Sequence, residues 1–427
     1  MKNVNIVVNK RYSEKITILY GLYNGARMLI GAVNVIFLLS KGVKLSEIAQ
    51  LQMIYAISVF LFEVPTGIVA DVISRKLSIL LSCFLLVIYY PLVYFGSPNL
   101  VFLFVSQVLY GLALCLVSGA FEGWQVDIIK VEYPDDNIKI NYYGHLKHEM
   151  NAFVTMFSGT LGALLVYWGS ENYAVLYMTC AIIILLIMFG FAIIPSFATP
   201  KEKKTVKKIN SLNEYISQCK KAIVHIANTE DSIHYMLCSG FLCCTYQVVY
   251  YYWQPLFEKY SLTGKGMDLL GHNTELLLGI VFFVYCLSRY LCNRFVRKKV
   301  IEKINPFWVA IGSMGCATIG MITLTNTSYS YIWICIMSFA LLQGMTMVSE
   351  GVIEAQYIKV IDENDISSVL SLMSALQSVL TTMVLFLISK TITSNNIEHF
   401  FEYTIVLYFL IIIALIKWKK RYGGEND

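Results

Sequence analysis

The chain has 427 residues, a net charge of +5, a 57% share of hydrophobic residues and only 14% charged ones. Soluble globular proteins carry about 25% charged residues, so this composition excludes an ordinary water-soluble domain and predicts a chain solvated by the lipid bilayer. The excess of positive charge is accounted for by loop topology and gives nucleic acid no part as a partner.

Apolar runs of about 20 residues, the length that crosses a bilayer, recur twelve times. They lie near 16–39, 47–70, 77–97, 99–127, 142–168, 172–195, 233–256, 273–293, 304–325, 330–357, 366–390 and 399–417. The first fifteen residues are polar and basic, and the run after them is too long for a signal peptide and lacks a small-residue cleavage site. It is expected to stay as a span. Alternating the loops puts about 25 Lys and Arg on the side of both termini and about five on the other: Lys41, Lys44, Lys259, Lys265 and Lys390. Both termini are therefore expected in the cytoplasm, in a multi-pass protein of the cell membrane. The external loops are short apart from Phe257 to His272. The eleven cysteines fall mostly inside apolar runs (Cys83, Cys115, Cys243, Cys244, Cys286) without zinc spacing, and read as small buried hydrophobes. No metal and no cofactor is expected; His145-Leu146-Lys147-His148 lacks a third ligand.

The turn after the second run is the most informative stretch: Phe62-Glu63-Val64-Pro65-Thr66-Gly67-Ile68-Val69-Ala70-Asp71-Val72-Ile73-Ser74-Arg75-Lys76. Asp71 is placed to accept hydrogen bonds from the donors that open the next helix, where the dipole also favours an anion. Gly67 lets a neighbouring helix approach. Arg75 and Lys76 suit a cytoplasmic face lined by anionic headgroups. The pattern G-x-x-x-D-x-x-[G/S]-R-K resembles the signature loop of the major facilitator superfamily, with Ser74 where glycine is usual and Val72 in place of a basic residue. Phe62-Glu63-Val64-Pro65-Thr66-Gly67 is similar to a bacterial efflux-type branch of that superfamily. The resemblance implies an all-α membrane protein of twelve transmembrane helices in two pseudo-symmetric six-helix bundles, 1–198 and 232–427, joined by a cytoplasmic linker at 199–231.

Weak internal duplication agrees with two halves around a central cavity. Gly119-Ala120-Phe121-Glu122-Gly123 is echoed by Gly351-Val352-Ile353-Glu354-Ala355, and the Asp71 to Lys76 turn by Asn293 to Lys298. In the linker, Lys201, Lys203, Lys204, Lys207 and Lys208 precede Leu212, Tyr215, Ile216, Ala222, Ile223 and Ile226 at loosely helical spacing. That suits an amphipathic helix on the membrane surface, or equally a solvated linker with partial helix.

Ionisable groups inside spans are functional candidates by default. Arg27 lies deepest, about eleven residues into the first span, with Glu63, Glu122 and Glu149 forming a tier roughly 8–12 Å deep. Arginine does not deprotonate, so one carboxylate is expected as its permanent counter-ion and a second is left to change protonation. The alternative is a fixed ion network that never titrates. The resemblance implies that span four lines the cavity, which ranks Glu122 first and Glu63 second as proton-coupling residues, with Arg27 and Glu149 beside them. It also groups Gly67, Asp71, Arg75, Lys76 and Asp127 as a cytoplasmic gate. Two departures weaken the coupling expectation. The R-x-x-x-G pattern of span four reads Gln107-Val108-Leu109-Tyr110-Gly111, and the proline-containing antiporter motif of span five is replaced by Ser158-Gly159-Thr160-Leu161-Gly162-Ala163.

Tyr20, Tyr23, Asn24 and Arg27 share one helix face and are candidates for the substrate cavity. Tyr250-Tyr251-Tyr252-Trp253-Gln254-Pro255 resembles a Y-W-Q-P segment of the same branch, its proline expected to kink or end span seven. Most of its aromatics suit an interfacial belt, whereas Gln254 calls for a partner. Trp253 and Gln254 join Gln247, Gln343, Glu350 and Glu354 as further cavity candidates, and Glu354 has Arg289 as an alternative partner.

These features predict a secondary active transporter that exports a small amphiphilic compound or drug by alternating access, driven by protons (or sodium), and acting as a monomer. The alternatives are uptake or a lipid-linked cargo on the same fold, and a polytopic membrane enzyme or sensor. The last lacks any nucleotide loop, nucleophile elbow or metal-ligand set in this sequence.

Overall fold

The computed structural model describes residues 11–72, 74–133, 137–170, 172–195, 229–263, 273–299, 304–326, 331–361 and 366–422. Among them every regular element is a helix. Backbone polar groups in lipid have no water to bond, so each apolar run closes its hydrogen bonds within itself. In chain order the helices are α1 (Tyr12–Met28), α2 (Asn34–Ser40), α3 (Leu45–Val72), α4 (Arg75–Gly96), α5 (Leu100–Val117), α6 (Ala120–Glu132), α7 (Asn137–Trp168) and α8 (Tyr173–Ile193). They continue as α9 (Glu230–Thr263), α10 (Thr274–Lys299), α11 (Pro306–Asn326), α12 (Ile332–Ile358), α13 (Ile366–Thr391) and α14 (Ile397–Tyr422).

Polar side chains set several starts. Ser74, Asn99 and Asn172 each accept a hydrogen bond from a backbone N–H in the first turn of the helix that follows. The faces sort by solvent. Along α8, Leu176, Cys180, Ile184, Ile187 and Phe191 are buried, whereas Ile182, Leu186, Phe189 and Ile193 form a stripe 57–82% exposed, the face an apolar solvent would cover.

Among the described residues ten helices are long and apolar enough to cross a membrane, or eleven if α1 and α2, bent by 44° about a short 3-10 turn, count as one span. The missing member of the expected twelve is α9, whose tyrosines, serines and glutamines dilute its apolar character; the helix nonetheless runs unbroken through the expected span seven. Two other expectations need correction. Pro255 does not end that helix, which continues to Thr263 and absorbs the start of the longest expected external loop. Proline removes one N–H from the ladder, but the turns on both sides are closed by their own bonds. At Gly67, a Cβ would meet nothing within 4 Å among the described residues, so no close helix approach accounts for that glycine here. The expected linker helix, Ser211 to Asn228, lies outside the described residues.

The chain forms two compact units, Met1–Gly31 with Ser58–Lys204, and Ala32–Ile57 with Thr205–Asp427. In the first, α1 packs on α7 and α8, and α4 on α5 and α8. Gly162 of α7 permits the contact with the end of α1, because a Cβ there would stand 1.8 Å from the Leu29 carbonyl oxygen. In the second, α9 packs on α13 and α14, α10 on α12, and α11 on both α12 and α14. That unit also includes α2 and the first part of α3, so the C-terminal end of span one packs with helices of the later half.

Candidate functional site

In the first unit, the start of α4 is tied down by its own basic residues. Arg75 Nη1 lies 2.8 Å from Asp127 Oδ2, with side chains 31% and 25% exposed. Gly123 makes the room, since a Cβ there would stand 2.5 Å from the Arg75 guanidinium carbon. Lys76 is engaged within the protein. Its Nζ donates to the carbonyls of Ala192 and Ile194 at 2.8 and 2.6 Å, where the end of α8 leaves carbonyls unsatisfied and favours a cation. Ser74 caps α4, its Oγ accepting from Leu77 N–H at 3.3 Å. Asp71 lies in the last turn of α3, and its side chain, with the capping role expected of it, is outside what the structure describes.

Glu122 sits in the first turn of α6 and pairs with Lys147 of α7, Oε1 to Nζ 2.7 Å. The two differ sharply in access: the Glu122 side chain is 64% exposed and that of Lys147 only 10%. Glu63 and Glu149 are exposed. Arg27 Nη1 donates to Asn24 Oδ1 at 3.2 Å, and its guanidinium carbon stands 5.8 Å from the centroids of both the Tyr23 and Tyr110 rings. Tyr20 stacks on Tyr23 at 6.1 Å and on Phe121 at 3.8 Å, so the face of α1 read from the sequence is one contiguous cluster. Lys147, the buried cation, was absent from the expected tier although it lies well inside the fifth apolar run.

In the second unit a cavity of about 360 Å³ opens between α9, α10, α12 and α13. Its charged lining is Arg289 of α10 with Glu350 and Glu354 of α12, four residues apart and so on one helix face. Tyr235 and Tyr246 of α9, Gln377 of α13 and the hydroxyls of Ser239, Thr346 and Ser374 add to its polar wall. Tyr246, Tyr285, Cys286 and Glu350 are the electrostatic neighbours of Arg289, whose Nη2 donates to Met347 Sδ at 3.1 Å. Both carboxylates are exposed. Gln247, one turn along α9 from the cavity residue Cys243, is 6% exposed; its Nε2 reaches Thr381 Oγ1 at 3.4 Å, and its Oε1 has no partner among the described residues. Gln343 is buried on α12 and does not line this cavity.

Trp253 and Gln254 turn inward instead. Trp253, 1% exposed, stands in an aromatic core with Phe257, Phe282, Tyr285 and Phe339, with ring centroids 5.7–6.5 Å away. Gln254 Oε1 accepts the Val35 N–H at 2.9 Å, at the start of α2, and the Tyr252 hydroxyl donates to the Leu45 carbonyl at 3.4 Å. Among the described residues no three His, Cys, Asp or Glu side chains group as a metal site.

A family model described as the Major Facilitator Superfamily matches residues 16–385. The uncharacterized MFS-type transporter YxaM of Bacillus subtilis (strain 168) is 22% identical over 292 residues, 67% of either chain. Among solved structures, the nucleoside transporter NupG superposes with a TM-score of 0.74 at 10% identity, over 95% of this chain and 99% of that one. The POT family transporter PepTSo gives 0.69 at 10% identity, over 98% and 99%. A bacterial homologue of the iron transporter ferroportin gives 0.68 at 12% identity, over 96% and 98%. Likeness at such identity shows the fold alone.

Proposed function

Since the chain belongs to the Major Facilitator Superfamily and is a multi-pass secondary transporter with no enzymatic activity, we propose that it exports a small amphiphilic compound across the cell membrane in exchange for protons. Export is supported by the resemblance of Phe62 to Gly67 to the efflux-type branch. Proton coupling is supported by one observation, the unequal pair of Glu122 and Lys147. A coupling carboxylate has to be reachable from water and held by a charge that changes partner when the carboxylate is neutralised. Glu122 is 64% exposed and its ammonium partner is almost enclosed. Protonating Glu122 leaves Lys147 buried without its counter-ion, a costly state that favours rearrangement of α6 against α7. Arg27, Glu63 and Glu149 take supporting places, and Asp71, Arg75 and Asp127 hold the cytoplasmic gate.

The test uses inverted membrane vesicles holding a pH gradient and a compound to which expression confers resistance. Adding the compound should dissipate the gradient, and Glu122→Gln should abolish that response while the protein remains in the membrane at wild-type level. Normal gradient-driven transport by Glu122→Gln would remove the proton site, and a response to a sodium gradient alone would replace the proton with sodium.

A further inference from the structure

The cavity between α9, α10, α12 and α13 holds one permanent positive charge and two carboxylates. One guanidinium cannot offset two carboxylates, and Arg289 has Glu350 among its electrostatic neighbours. Arginine stays charged under all ordinary conditions, so the wall is left with one net negative charge when both glutamates are ionised. A low-dielectric cavity with an uncompensated charge recruits an ion of opposite sign.

We propose that this cavity binds a small protonated amine with an apolar, aromatic-sized body, its ammonium received by Glu354 and its body laid against Tyr235 and Tyr246. The hydrogen-bonding capacity left open agrees with that class. Ionised carboxylates only accept, both glutamates are exposed, and the orphan atom one turn farther along α9 is the acceptor Gln247 Oε1. An occupant that brings N–H donors suits these acceptors best. Two phenol rings, with Leu242 and Ile353 beside them, suit an apolar body and add attraction for a cation over a ring face. An anion is opposed on the same grounds: Arg289 already has Glu350, Tyr246 and Met347 around it, and the anion would face two carboxylates. The inference rests on the reading that the chain carries a small compound, and on neither the direction nor the driving ion.

Three probes with one body and three charges test it: tryptamine (cation), tryptophol (neutral) and indole-3-propionate (anion), in equilibrium binding to the full-length protein in lipid nanodiscs at pH 7.5. Tryptamine should bind at least about tenfold tighter than tryptophol, as expected for one charge-assisted contact, and indole-3-propionate weakest of all. Glu354→Gln should erase the advantage of tryptamine and leave tryptophol unchanged. Should that variant fail to fold, protection supplies the same answer in the wild type: tryptamine, and not indole-3-propionate, should slow modification of Glu354 by a carbodiimide, read by peptide mass spectrometry. No binding of tryptamine, tighter binding of the anion, or an unchanged preference in Glu354→Gln overturns the proposal. Binding with this charge preference in a protein that moves no protons would refute the coupling reading and leave this one standing.

Discussion

Gly123 and Arg75 behave as a single device: the glycine is the space in which the guanidinium reaches Asp127. The ion pair is about a quarter to a third exposed, so removing its charge should be modest, whereas filling its space should not. Asp127→Asn is expected to cost about 1–2 kcal/mol, the range for a partly screened charged hydrogen bond. Gly123→Val has to expel the guanidinium and should lower the melting temperature further than Asp127→Asn, as measured by thermal unfolding in nanodiscs. Equal shifts would show that the packing is loose. If the pair is a gate, Asp127→Asn should also change the transport rate with probe binding unaltered. At this scale the sequence was half legible. The turn motif marked Arg75, the family resemblance grouped Asp127 with it, and the shared face of α1 marked Tyr20, Tyr23, Asn24 and Arg27. The targets of Lys76 and Lys147 were hidden, because a flexible four-carbon stem chooses its partner from tertiary neighbours that no local spacing encodes.

At the scale of elements, the break in the first span matters most. Leu29 to Ala32 form a 3-10 turn, and α2 restarts at Asn34 with its first N–H groups short of intrahelical partners. Gln254 supplies one acceptor, 2.9 Å from Val35 N, and is itself 3% exposed. Gln254→Leu keeps the size and removes the acceptor. A buried N–H left unsatisfied costs roughly 1–3 kcal/mol, so the substitution should destabilise the second unit by that order and slow transport more than it weakens binding. Gln254→Glu restores an acceptor and should recover part of the loss; equal defects in both would mean that the amide acts elsewhere. The sequence called for a partner at Gln254 and expected it at the substrate. Periodicity reports which face a residue occupies, and a helix broken 219 residues earlier in the chain leaves no trace in that periodicity. Trp253 was misplaced for the same reason, its ring serving the aromatic core.

For the whole molecule, apolar run length was enough to locate the ten or eleven spans among the described residues and the helix α9 that fills the remaining place, because lipid imposes both their length and their internal bonding. Orientation rests on a different force, the retention of Lys and Arg loops on the cytoplasmic side, and that asymmetry is open to direct measurement. In a background with the eleven native cysteines replaced, Ser40→Cys and Ile304→Cys put single exposed thiols near the two opposite rims assigned by the charge count. A membrane-impermeant maleimide applied to intact cells should label Ser40→Cys and not Ile304→Cys, and inverted vesicles should reverse the pattern. The reverse result in intact cells would turn the molecule over. The Glu350 and Glu354 cavity, which lies near the beginning of α9 and the end of α12, would then open toward the outside. The charge of the bound compound, set by Arg289 and the two glutamates, would stay as argued, because alternating access presents the same wall to either side in turn.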